Sequence, residues 1–225
     1  METSLHRTLK DRYGQVPGGR SEVGVQGFRV DAVDATGLLI EVQAGPLGSL
    51  RTKLRRLLPH NRVTVVKPVV LLRRVVRRLR RDGPDLSARL SPKRGDVVDV
   101  FEDLVGVASV FPDPNLAIEV LGVAIDEIRI PRRRRPGFTV IDRRLGEVRD
   151  GRTLRVPADL WGLLPEADWN QPFTTTEIAE RIGRPLWLAQ RVAYCLRLAG
   201  AVRSVGTRNR HRLYVRQPGS GPDQA

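Results

Sequence analysis

Three residues in the stretch from Gly27 to Gly45 have types and spacing suited to chemistry: Asp31, Glu41 and Gln43. The stretch reads as two short strands around a tight turn. Side chains two apart on a strand share a side, so Glu41 and Gln43 project together while Ile40 and Val42 point the other way. A three-residue loop, Ala35-Thr36-Gly37, with Gly37 in the left-handed position, fixes the register. It sets Asp31 across from Glu41 and Arg29 across from Gln43. Two facing carboxylates repel and lose solvation unless a positive charge sits between them, and a divalent cation supplies one economically. The bland alternative is a pair of exposed acids on an edge hairpin, which the mutual repulsion of like charges directly opposite each other disfavours.

The elements needed to position such a pair follow in order. Glu2-x-x-Leu5-His6-x-x-Leu9-Lys10 reads as a first helix, and Glu22-Val23-x-Val25 as a strand ahead of the hairpin. Leu50 to Leu58 reads as a second helix, and Arg62 to Val70 as the next strand. With Asp31 and Glu41-x-Gln43 in this order, residues 1–70 resemble the core of the PD-(D/E)xK nuclease superfamily. The resemblance implies a restriction-endonuclease-like α/β fold, a mixed central sheet flanked by helices. It also implies Mg²⁺ or Mn²⁺ held by Asp31, Glu41, the carbonyl of Val42 and, through water, Glu2. Asp31, Glu41, Gln43 and Glu2 would form the catalytic set. Most members carry lysine where Gln43 stands, and a minority of restriction enzymes carry glutamine. Glutamine can orient a water by hydrogen bonding but brings no charge. Lys53 or Lys67 could supply a migrated ammonium; contact with phosphate or solvent is the other reading of both.

Composition points to a polyanionic partner. The 225 residues carry a formal net charge of +14. Residues 51–94 hold fifteen Arg or Lys against Asp82 and Asp85, whereas residues 95–128 hold eight acids and no Arg or Lys. Segregation of this kind builds a one-signed surface that attracts nucleic acid, with affinity falling steeply in salt. DNA is the expected partner, RNA less so. An anionic membrane ranks lower, because no aromatic amphipathic helix accompanies the charge. Nothing approaches the ~20 apolar residues of a membrane span, and no signal peptide is evident, so a cytoplasmic, nucleoid-associated protein is expected. One cysteine, Cys195, excludes a disulfide framework, and His6, His60 and His211 lack metal-ligand spacing. No glycine-rich phosphate loop or Ser-His arrangement supports hydride, acyl or kinase chemistry.

Further along, residues 69–90 read as an extended hairpin whose arginines lie along nucleic acid, or alternatively as a basic helix packed on the sheet. Residues 97–105 have a helical pattern, 116–125 a buried strand, and 138–166 short strands and a turn. Arg132 and Arg133, in the run Arg132 to Arg135, are phosphate-contact candidates; a solvated linker is the rival reading. Thr174-x-x-Glu177 has capping-box spacing, Pro185 can open a second helix, and a hairpin turning at residues 206–210 follows. Leu186, Ala189, Val192, Ala193 and Leu196 make its inward stripe. This order resembles the winged helix-turn-helix family. It implies base or phosphate contacts by Gln190 and Arg191, and wing contacts by Arg208 and Arg210.

The expected organisation is a nuclease-like domain over 1–150, a connector over 151–171, a winged helix over 172–216 and a disordered tail over 217–225. The expected function is metal-dependent hydrolysis of DNA with a winged helix for targeting. A non-catalytic DNA-binding regulator on the same scaffold is the alternative. Cutting both strands requires two sites, so a homodimer or partner protein is expected.

Overall fold

The computed structural model describes residues 3–217. Glu2 and the tail beyond Gln217 lie outside the described residues. The first helix, α1 (Ser4–Gly14), starts at Thr3, whose hydroxyl accepts the His6 amide at 3.4 Å. Leu5 and Leu9, one turn apart, are its buried stripe. The Asp142 carboxylate accepts both the Ser4 amide at 2.9 Å and the Ser4 hydroxyl at 2.6 Å, satisfying donors that a helix start leaves open.

Seven strands form a mixed central sheet: β1 (Arg20–Val25), β2 (Phe28–Val33), β3 (Leu39–Val42), β4 (Val63–Arg77), β5 (Ser87–Leu90), β6 (Leu116–Pro131) and β7 (Phe138–Leu154). Their order is β1-β2-β3-β4-β6-β7, with β5 paired to β4. The pairs β1/β2, β2/β3 and β4/β5 are antiparallel. The Val63 amide reaches the Asn115 carbonyl and the Arg78 amide the Arg129 carbonyl, so β4 and β6 run in the same direction. The short helices α2 (Arg51–Leu57) and α3 (Phe101–Leu104) follow β3 and β5, and α4 (Thr175–Ile182) and α5 (Leu186–Ala199) follow β7. A separate two-stranded sheet joins β8 (Val202–Arg208) and β9 (His211–Arg216).

The chain divides into two compact units: residues 1–44, 65–96 and 120–151 in one, and 45–64, 97–119 and 152–225 in the other. The core of the first brings Leu5 and Leu9 against Ala32, Ile40, Val42, Val66, Leu121, Val123 and Ile125. The alternating spacing of these strand positions shows one side of the sheet facing α1. In the second unit, Trp161, Trp169, Phe173 and Tyr214 pack ring against ring, with neighbouring centroids 5.4–6.3 Å apart.

Local pattern and structure part company in three places. Residues 71–77 continue β4, because their partners on β5 and β6 complete a ladder that a helix would leave open. Residues 97–105 form a 3-10 turn and a single turn of α-helix, and 138–154 form one long strand rather than several short ones. In α5 the buried stripe starts at Leu188, and Leu186, expected inside, is 43% exposed. Cys195 is buried there, and burial pushes its thiol up to about 12, which makes it a small hydrophobe rather than a nucleophile.

Between β4, β6 and β7 one carboxylate anchors three arginines. Glu127 is 2% exposed. Its Oε1 accepts from Arg129 at 2.6 and 2.8 Å, and its Oε2 lies 3.3 Å from Arg143 and 3.5 Å from Arg73. Burial alone would raise its pKa; the Arg129 hydrogen bonds and the charges of Arg73 and Arg143 outweigh that and hold it below the ordinary 4.5. The stability it contributes is therefore present above 4.5 and lost as pH falls through the depressed folded value. Glu127→Gln is expected to cost about 3 kcal/mol at neutral pH, the low end for breaking a buried ion pair, because the arginines are partly solvated. Urea melts across a pH series should show that difference shrinking at acid pH; a constant difference would contradict it.

Candidate functional site

The hairpin of β2 and β3 is closed by Asp34. Its amide donates to the Leu38 carbonyl at 3.1 Å, and its carboxylate accepts the Thr36 and Leu38 amides at 2.8 and 2.9 Å. The Gly37 amide completes the turn to the Asp34 carbonyl at 3.1 Å, and Gly37 sits at φ +82°. Glycine reaches that left-handed conformation without the clash of a side chain. The resulting register pairs Ala32 with Ile40 and Val33 with Leu39, and the expected pairs Asp31/Glu41 and Arg29/Gln43 lie beyond that ladder.

At Asp31 the ladder changes character. Its Oδ2 accepts the Val42 amide at 2.9 Å, so a side chain stands where a backbone carbonyl would otherwise serve. Its Oδ1 lies 3.6 Å from His6 Nε2 and 3.6 Å from Lys10 Nζ, both on α1. Lys10 Nζ also reaches Glu22 Oε1 at 2.8 Å, and Arg29 pairs with the other oxygen of Glu22. Burial works to raise the Asp31 pKa. Contact with His6, the Val42 amide and the charge of Lys10 overcome that, and the carboxyl sits below its ordinary 3.8. Asp31 is thus an anion at neutral pH.

Ile40, Val42 and Val66 belong to one core cluster, so Glu41 and Gln43 project to the side opposite it, as does Lys67 next to Val66 on β4. The Gln43 amide donates to the Val66 carbonyl at 2.9 Å and ties the two strands together at this level. Glu41 and Gln43 are half-buried. Lys67, expected on the surface against phosphate, is instead 4% exposed, because its strand has β3 on one side and β6 on the other.

The donor set bears on which metal could bind. Among the described residues no cluster of three or more His, Cys, Asp or Glu side chains is arranged to hold an ion, which argues against a closed all-protein cage. Magnesium asks for less, one or two carboxylates with water and substrate phosphate completing its shell. Asp31 and Glu41 supply two carboxylates on adjacent strands, but Asp31 turns toward His6 and Lys10 of α1 whereas Glu41 projects to the side of the sheet opposite the core that α1 covers.

The other expected contact residues are distributed as follows. Lys53 is half-buried on α2. Arg132 and Arg133 are exposed in the tight β6/β7 turn, where the Arg132 amide meets the Gly137 carbonyl at 3.0 Å. Helix α4 has its capping box at Thr174 and Glu177, and α5 starts after Pro185. Gln190 is exposed; Arg191 stacks 4.9 Å from the Trp187 ring and lies 3.5 Å from Glu102. In the hairpin of β8 and β9, Asn209 and Arg210 occupy a two-residue turn with both φ positive, shorter than the expected turn. Arg208 is exposed but paired to Glu177. Sequence reading missed His6 and Lys10 as the charge partners of Asp31. Their spacing on a helix face next to Leu5 and Leu9 was the available signal.

Fold and hairpin define an α/β protein in which Asp31 on β2 meets His6 and Lys10 of α1. The chain belongs to a family described as a domain of unknown function (DUF8091), whose model matches residues 3–155. An uncharacterized protein of Treponema pallidum (strain Nichols) is 34% identical over 158 residues, which is 68% of this chain and 62% of that protein. The chain therefore spans less than two thirds of that relative. No solved structure matches.

Removing the helix charges tests the electrostatics directly. In a His6→Ala/Lys10→Ala double variant, burial of Asp31 is opposed only by the Val42 amide. Its pKa is expected to rise from its depressed position, read by carboxyl-carbon NMR titration. An unmoved titration would show that the two side chains do not set its charge.

Proposed function

We propose that the protein is a metal-dependent nuclease that hydrolyses phosphodiester bonds in DNA. The observation that carries the reading is an ionised Asp31 on β2, bonded to the Val42 amide of the neighbouring strand that carries Glu41 and, two residues on, Gln43. It fits the PD-(D/E)xK resemblance of residues 1–70. Asp31, Glu41 and the Val42 carbonyl would hold Mg²⁺ or Mn²⁺, with Glu2 contributing through water. A bound divalent ion lowers the pKa of water and offsets charge building on the phosphoryl oxygens. Gln43 would orient the attacking water by hydrogen bonding. Lys67, buried on the same side of the sheet, offers the positive charge that glutamine lacks. His6 and Lys10 keep Asp31 deprotonated and ready to bind.

Residues 172–216 would act as a winged helix that recruits DNA. Support comes from the order of α4, α5, β8 and β9 and from the exposure of Gln190 on α5 and Arg210 in the turn. The strongly basic chain favours the same partner.

One observation favours a second reading, a DNA-binding regulator that does not cleave. Asp31 already has the Lys10 ammonium and a His6 contact beside it, which offset its charge without a metal. Incubating plasmid and single-stranded DNA with Mg²⁺, Mn²⁺ or chelator separates the two. The nuclease reading expects cleavage that chelator stops, and that Asp31→Ala or Glu41→Ala lowers at least about 100-fold while DNA binding persists. Tight DNA binding without metal-dependent cleavage would select the regulator.

A further inference from the structure

A second site lies at the far end of the same sheet, away from the hairpin. A cavity of about 280 Å³ opens between β4, β5, β6 and the start of β7. Arg77, Ser87, Arg89, Arg129 and Phe138 line it. Alternation explains the gathering. Arg77 pairs with Ser87 and Val75 with Arg89 in the β4/β5 ladder, so Arg77 and Ser87 sit side by side and Arg89 follows on the same side. The Arg129 guanidinium lies 3.8 Å from the centre of the Phe138 ring and is locked there by its two hydrogen bonds to Glu127.

The charge balance is the telling feature. Arg73, Arg129 and Arg143 gather on the Glu127 carboxylate, and Arg77 and Arg89 add two more guanidinium groups to the adjoining cavity, whose lining holds no carboxylate. Elsewhere on these strands arginines are matched: Arg74 binds Asp126 at 2.5 and 2.7 Å, and Arg78 binds Asp85 at 2.5 Å. Arg77 and Arg89 are exposed, and neither has an ion pair among the described residues. Two open guanidinium forks beside a half-buried aromatic ring, on a rigid sheet, suit a ligand with anionic oxygens and a flat apolar face.

We propose that this cavity binds one nucleotide of a single-stranded polynucleotide. Arg77 and Arg89 take the flanking phosphates, and the base lies against Phe138 and Arg129 with Ser87 at its edge. A duplex is the poorer ligand, because its bases are stacked on one another and have no free face for the ring. The proposal rests on the reading of the protein as a polynucleotide binder and adds where an unpaired strand is held.

The test is fluorescence anisotropy on the full chain. The probes are a labelled oligothymidylate longer than the about 4–16 nucleotides that single-strand sites span, and a duplex of equal length. Arg77→Ala/Arg89→Ala replaces exposed, unpaired side chains and should leave the melting temperature unchanged. It is expected to weaken oligothymidylate binding and to reduce the slope of log affinity against log salt by about 1.4, the release of two phosphate contacts. Phe138→Leu keeps apolar volume but removes the stacking face. It should weaken single-strand binding about fivefold or more and leave duplex binding unchanged. Wild-type affinity and salt slope in the double-arginine variant would overturn the proposal, as would equal losses for both probes in Phe138→Leu. If wild type binds neither probe, the nucleic-acid reading falls as well; if it binds and the variants match it, only this cavity is lost.

Discussion

The acceptance of the Val42 amide by the Asp31 carboxylate is the bond on which the candidate site depends. A hydrogen bond to a charged acceptor contributes about 1.5–3 kcal/mol, more than the neutral backbone pair it replaces. It lets β2 and β3 part beyond Ala32 and Ile40 without leaving a buried amide unsatisfied. The same bond holds the carboxylate in place and favours its ionised form. Hairpin and site are therefore one construction: Asp31 cannot be neutralised or turned away without exposing the end of β3.

Charge on this chain works at two scales. Over tens of residues, the basic stretch 51–94 and the acidic stretch 95–128 are separate. Folding brings parts of them together. Asp126 and Glu127 from the acidic stretch take up Arg73 and Arg74 from the basic one. Among the arginines left without an acid partner are Arg77 and Arg89, which line the cavity beside Phe138. The long-range pattern in sequence raises the expectation of a polyanion partner in general terms. Only pairing across strands reveals which guanidinium groups stay open.

How much could be read from the residues alone follows from the range of the forces involved. The hairpin register was legible, because Asp34, Thr36 and Gly37 settle it within five residues through local hydrogen bonds and one left-handed glycine. The start of α4 was legible for a similar reason, since Thr174 and Glu177 cap it within one turn. Residues 71–77 were ambiguous because Leu71, Leu72, Val75 and Val76 satisfy both a helical and a strand period; pairing with a distant β6 decides. Lys67 was misplaced because its burial depends on β4 being interior to the sheet, which no local pattern encodes. The partners of Asp31 were missed because a helix and a strand twenty residues apart meet only after the core between them forms. The 17-residue β7 was not legible as one strand because its pairing with β6, rather than its local pattern, holds it extended.

The hydrogen bonds between Ser4 and Asp142 link positions 138 residues apart. A ribosome delivering the chain from its N-terminus completes α1, β2 and β3 long before it releases Asp142. Until then the first turn of α1 has only Thr3 to cap it, and the helix that carries His6 and Lys10 lacks its outer tether. Helix α1 is thus fastened by a residue made 138 positions after Ser4, and the electrostatic setting of Asp31 matures only once Asp142 has emerged.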